Sequence, residues 1–158
     1  MHKLSLFVVA MLLFISCGKK EKTEGDFSKP TTENEGNPAE VSDYDPKRGE
    51  GKFDKVEVGE TLDQKMAEQG QKVAEVKCTS CHKLTEEKLV GPGWTGVTSR
   101  HKPEWIMNFI TNPDPMITKD PKLQAQLEIC LVRMPNQGLS DTEARDIFEY
   151  MRKNDGVK

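Results

Sequence analysis

Cys78-Thr79-Ser80-Cys81-His82 is the stretch on which the reading of this chain turns. Two cysteines at this spacing, followed directly by a histidine, are compatible with a redox dithiol, a zinc site, a disulfide or a covalently attached haem. A thioredoxin-like dithiol has a strand before it and a helix after it. Here helical spacing precedes the motif, and a loop containing Gly91-Pro92-Gly93 follows it. A zinc site needs a second ligand pair, for which Cys130, His101 and the distant Cys17 are the candidates left. A disulfide leaves His82 without a role. Haem attachment uses all three residues: each sulfur forms a thioether with one vinyl group, and His82 lies beneath the iron as proximal ligand.

Outward from the motif the chain reads as helices and loops, with no convincing run of alternating strand residues. Thr61-Leu62-Asp63-Gln64 predicts a capping box and a helix reaching about Cys78, with Leu62, Met66, Val73 and Val76 on one face. Pro103 starts a helix through Trp105, Ile106, Phe109 and Ile110. It should stop near Asn112, because Pro113 disfavours helix in the residue before it. Pro113-Asp114-Pro115 reads as a loop. Asp120-Pro121 is an N-cap and first helical residue, with Leu123, Leu127, Cys130 and Leu131 on one face. Ser140-Asp141-Thr142-Glu143 is a second capping box, opening a helix to about Lys153 whose apolar stripe is Ala144, Ile147, Phe148 and Met151.

A haem iron held by His82 needs a sixth ligand or an open site. Met134 is the leading candidate. It stands in Arg133-Met134-Pro135-Asn136-Gln137-Gly138, a turn-rich loop just before the last helix, from which a thioether can reach over the opposite haem face. Met116 and His101 are its rivals, the second giving bis-His ligation. Met107 and Met151 fall on helix faces and read as core. Trp94 is a candidate for packing on the haem or in plain core. Trp105 can aim its indole N–H at a haem propionate or pack in the core. Cys130 reads as a small buried hydrophobe.

These residues closely resemble class I monohaem cytochromes c, over roughly residues 60–153. Gly70 stands eight residues before the first haem Cys, as in that family, where the Gly lets the first and last helices cross closely. Ala74 departs from the family's frequent aromatic. Gly91-Pro92 matches the family's Gly-Pro, whose carbonyl receives the proximal His N–H, and Met134-Pro135 matches its distal Met-Pro. The stretch Pro103-Glu104-Trp105-Ile106 resembles bacterial members encoded with respiratory reductases. The resemblance implies an all-α cytochrome c fold, three to five helices around one covalent haem c. It implies His82 and Met134 as axial ligands, with Pro92, Trp94 and Trp105 supporting the pocket. Two strong axial ligands disfavour substrate chemistry, and a Met with a His raises the potential relative to bis-His. The expected function is therefore electron transfer and not enzymatic.

Composition sets the surroundings. The net charge is −3 over 158 residues, which argues against a nucleic-acid binder. Residues 18–60 hold 8 basic and 12 acidic side chains, residues 61–158 hold 14 of each, so the domain is neutral and the acidic excess precedes it. Around the motif, Lys77, Lys83, Lys88, Arg100 and Lys102 outnumber Glu86 and Glu87. Such a ring either steers an acidic redox partner or is a solvated face.

At the start, Leu4 to Ile15 is a 12-residue apolar run broken only by Ser5, preceded by Lys3. At about 1.5 Å per residue it is too short to span a hydrocarbon core of about 30 Å. It reads as the h-region of a secretory signal. Phe14-Ile15-Ser16-Cys17 resembles a bacterial lipobox, with Phe14 where the pattern usually has Leu. The expected organisation is a signal peptide at 1–16, a tether at 17–52 lipidated on Cys17, and a haem domain at 53–158. Phe53, Val56 and Val58 are the candidates for an extended piece lying on that domain. The chain is then expected on a bacterial membrane, facing the periplasm, carrying electrons between respiratory components and a terminal reductase or oxidase. The alternatives are a haem peroxidase or gas sensor, or a relay subunit of a respiratory reductase complex.

Overall fold

The computed structural model describes residues 44–158. The signal-peptide segment, Cys17 and most of the expected tether lie outside the described residues. Among the described residues the chain is all-α, with six helices and no strand: α1 Gln64–Lys77, α2 Val97–Arg100, α3 Pro103–Thr111, α4 Pro113–Lys119, α5 Pro121–Cys130 and α6 Asp141–Asn154. None of these helices is long and apolar enough to cross a membrane. The count exceeds the expected three to five because of α2 and α4. The two prolines of α4 sit in its first turn, where backbone N–H groups have no intrahelical acceptor to lose.

α1 packs against α6 along a crossing built from small residues. Ala67, Gly70 and Ala74 are its buried residues, while Val76 is 81% exposed and Met66 and Val73 are only half-buried. Of the expected stripe, Leu62 is buried and Val73 packs against the core, while Val76 faces solvent and departs from it. A Cβ on Gly70 would overlap Asp146 O, so the backbones touch and larger side chains cannot enter. Ala74, where an aromatic was the family habit, is fully buried in the same cluster as Phe148, Tyr150 and Met151. The N-cap of α1 is Asp63, whose carboxylate accepts from Met66 N at 2.9 Å, and not Thr61.

α6 begins as read. Ser140 Oγ accepts from Glu143 N, and the Glu143 carboxylate accepts from Ser140 N. That backbone bond, with Lys77 beside it, holds the Glu143 carboxyl below the usual carboxylate range. Ala144, Ile147, Phe148 and Met151 are buried. So is Glu149, which accepts from Arg145 Nη1 and Arg152 Nη1, each at 2.6 Å, and from Asp63 N at 2.9 Å. Arg152 Nη2 continues to Gly59 O at 2.8 Å, fastening the segment before α1 to the last helix.

Residues 44–58 form a strap over α3. Fully buried Asn108 donates to Arg48 O and Phe53 O and accepts from Phe53 N at 2.9 Å. Glu104 accepts from Val56 N, and Phe53, Val56 and Val58 pack against the core. Tyr44 is buried, and its hydroxyl donates to buried Asp120 at 2.6 Å. Burial, and the hydrogen bond to Asp120, push the Tyr44 phenol far above its ordinary pKa. The packed chain thus already includes Tyr44.

Candidate functional site

The C-terminal end of α1 delivers the motif. Cys78 caps that helix, its N–H donating to Ala74 O, and Cys81 N and His82 N both donate back to Cys78 O at 3.0 Å. One tight turn therefore projects Cys78, Cys81 and His82 together. Both cysteines are free. Burial pushes the Cys78 thiol up to about 11, Lys77 opposing and Cys81 adding to the shift.

His82 is oriented by the loop that follows. Gly91 N and Val90 N donate to Cys81 O, folding residues 89–93 back over the motif. A Cβ on Gly91 would overlap the His82 ring, so the bare backbone presses directly against the imidazole. His82 Nδ1 lies 2.8 Å from Pro92 O. A carbonyl only accepts, so Nδ1 carries the proton and Nε2 is left with the lone pair that can bind iron. Trp94 is buried beside it, its ring 6.1 Å from the His82 ring and edge-on to Tyr150 at 6.3 Å. It belongs to the core on the His82 side.

The surroundings suit a large apolar group. Lys88 Nζ reaches Ile129 O at 3.5 Å, so the loop after His82 approaches the end of α5. Leu89 and Val90 on one side, and Ile129, Leu131 and Val132 on the other, are exposed. No residue of α5 is buried, although its Asp120 cap forms as read. Leu123 and Leu127 are half-buried and Leu131 is 83% exposed, correcting the expected buried face. Cys130 is half-buried and accepts from Gln126 Nε2 at 3.3 Å. A porphyrin joined to Cys78 and Cys81 would find apolar side chains to cover here, and free thiols and a prepared imidazole to hold it.

The three candidates for the opposite iron face are differently placed. Met134 is partly buried against the core, on the loop between α5 and α6. Met116 is fully buried on α4, and a Cβ on Gly49 would overlap its Cε, so the strap closes over its thioether. His101 stacks on Trp105 with ring centroids 3.8 Å apart, and burial, with Arg100 and Lys122 nearby, holds its pKa below the usual imidazole range. Trp105 is buried between His101 and Phe109, and its Nε1 donates to Asp120 at 3.4 Å. Its indole N–H is directed at a carboxylate of the protein and its ring at the core, the core-packing half of the two readings. In the basic ring, Lys77 pairs with Glu143 at 3.2 Å and Lys83 with Glu87 at 2.7 Å, so part of that charge is internally compensated.

Comparison with known proteins bears on the family and the fold. The family model described as Cytochrome c matches residues 67–155, more than half of the chain. A solved cytochrome c from Rhodothermus marinus is 35% identical, with a TM-score of 0.64 over 66% of this chain and 90% of that one. Two structures of an engineered cytochrome c from Rhodothermus marinus, one of them bound to a carbene intermediate, are 34% identical, with TM-scores of 0.63 and 0.60. Among curated proteins, none matches significantly. The chain belongs to the cytochrome c family, and the group its site serves is covalently bound haem c.

Proposed function

We propose that this chain is a class I cytochrome c working as a single-electron carrier. Cys78 and Cys81 hold the haem, and His82 and Met134 are its axial ligands. The observation that carries this reading is the 2.8 Å bond from His82 Nδ1 to Pro92 O, which leaves Nε2 prepared beside two free thiols. The haem supplies a one-electron iron couple. The protein's part is to hold both axial groups fixed, so that little rearranges when the electron moves, and to tune the couple through ligand identity, hydrogen bonding and burial.

Met134→Ala tests the distal assignment. It should remove the thioether-to-iron absorption band of the oxidised protein and lower the reduction potential, because a ligand favouring ferrous iron is lost. Met116→Ala should leave the band in place, since the strap and Trp105 enclose Met116. The opposite pattern would overturn the assignment.

The same reading extends to location. Residues 1–16 act as a signal peptide, Cys17 carries a lipid, and the haem domain faces the periplasm and exchanges electrons with respiratory redox proteins. The support is the short apolar run, the lipobox-like Ser16-Cys17 ending and the polar segment after it. Cys17→Ser should move the protein from the membrane pellet to the soluble fraction with its haem spectrum intact. Retention in the pellet at high salt would argue for another anchor.

A second reading, in which the sixth position opens to a small outside ligand, draws on one observation. Among the described residues, no backbone–backbone hydrogen bond joins residues 132–139 to the rest of the chain.

A further inference from the structure

The loop that carries Met134 is fastened in an uneven way. Beyond Met134 its polar bonds stay inside it: Gln137 Nε2 donates to Pro135 O at 3.4 Å, and Gly138 N donates to Asn136 Oδ1 at 2.8 Å. Apolar packing holds Met134 and Leu139. The chain enters the loop through Leu131 at φ 60, a left-handed conformation unfavourable for a leucine.

Arg133 supplies the polar tie to the rest of the domain. Its Nε donates to Asp114 Oδ1 at 2.7 Å, and its Nη2 donates to Asp114 O at 3.2 Å and to Thr118 Oγ1 at 3.1 Å. The anchor is firm, because α4 buries Pro113, Met116 and Ile117 in the core. Three bonds from one planar guanidinium fix direction as well as distance, which a lysine cannot reproduce.

We propose that Arg133 is a positioning residue: its latch onto Asp114 and Thr118 holds Met134 in place and sets how often the sixth iron position opens to an outside ligand. The proposal rests on Met134 as the distal ligand. An outside ligand binds only the open form, so its apparent affinity follows the open fraction. The pair is solvent-exposed, at 44% and 64% of the side-chain surfaces, so its loss should change that fraction by about fivefold and not by orders of magnitude.

Imidazole is the probe, titrated into the haem-loaded full chain while the thioether-to-iron band is followed. Arg133→Ala should bind imidazole about fivefold more tightly than the parent chain. Arg133→Lys should fall between the two. Asp114→Asn should shift affinity in the same direction by less, because the Asp114 carbonyl and Thr118 still accept. The double variant Arg133→Ala with Asp114→Asn should be no tighter than Arg133→Ala alone, as members of one latch are not additive. A purely structural role would lower the thermal midpoint and leave imidazole affinity unchanged. Unchanged affinity in Arg133→Ala, or full additivity in the double variant, overturns the latch. Should Arg133→Ala fail to fold, Arg133→Lys and Asp114→Asn decide the matter by the same readout. Met134→Ala separates the two levels. If it keeps the thioether band, the distal assignment fails and the latch with it. If it loses the band while Arg133→Ala binds imidazole like the parent, the latch alone fails.

Discussion

Replacing Cys78 and Cys81 together with alanine should abolish covalent haem, and either single replacement should leave one thioether or none. The two sulfurs leave the same tight turn at the end of α1, and Cys130 lies on α5 near Gln126, outside that turn. The double variant keeps His82 and its bond to Pro92, so haem can still visit the iron ligand, but nothing retains it through denaturation. Haem staining on a denaturing gel, with the mass of the intact protein, reads the outcome. Normal staining of the double variant would contradict the attachment site. A secondary consequence is a loss of stability, since Leu89, Val90, Ile129, Leu131 and Val132 would lose the apolar group proposed to cover them.

Glu149→Ala should lower the unfolding free energy by about 3–5 kcal/mol while covalent haem is retained. The Glu149 side chain is fully buried and Arg152 is 9% exposed, so truncation leaves a guanidinium without its counter-charge in a dry place. It also removes the acceptor that the N–H of Asp63, the residue that caps α1, has in the fold. Arg145 suffers less, being nearer to solvent. Glu149→Gln keeps an acceptor and most of the packing, and should cost less than the alanine. Denaturant unfolding followed by far-ultraviolet circular dichroism measures both. A loss below about 1 kcal/mol for Glu149→Ala would mean that the network is no more than a surface pair.

What the sequence disclosed, and what it hid, follows from which interactions are local. The α6 cap is legible because both halves of the box lie within four residues, Ser140 to Glu143. The end of α3 is legible because Pro113 acts on its immediate neighbour. The same proline misleads one residue later. Pro113 and Pro115 suggest a loop, yet both fit the first turn of α4, where their missing N–H groups cost nothing. The strap is legible only in part: Phe53, Val56 and Val58 pack on the domain as read, while residues 44–52 are hidden for a different reason. Its composition is poor in apolar residues, but it is held by Asn108, Glu104 and Asp120, polar partners about 50 to 76 positions away. On the α1 stripe, Leu62 and Val73 follow the periodicity, but periodicity of large apolar residues does not mark the backbone contact at Gly70, which admits only small ones and which the family resemblance implies. At the site, Cys78, Cys81 and His82 are legible as a contiguous motif. The latch of Arg133 is not, since it joins positions 19 apart through side chains that carry no motif.

The central claim is a six-coordinate haem that passes single electrons, and carbon monoxide binding during a potentiometric titration tests it most directly. The purified haem-loaded protein should titrate as a single one-electron step with low-spin spectra in both states, and the reduced form should not bind carbon monoxide readily. A high-spin reduced spectrum with rapid carbon monoxide binding would show an open sixth position and contradict the carrier account.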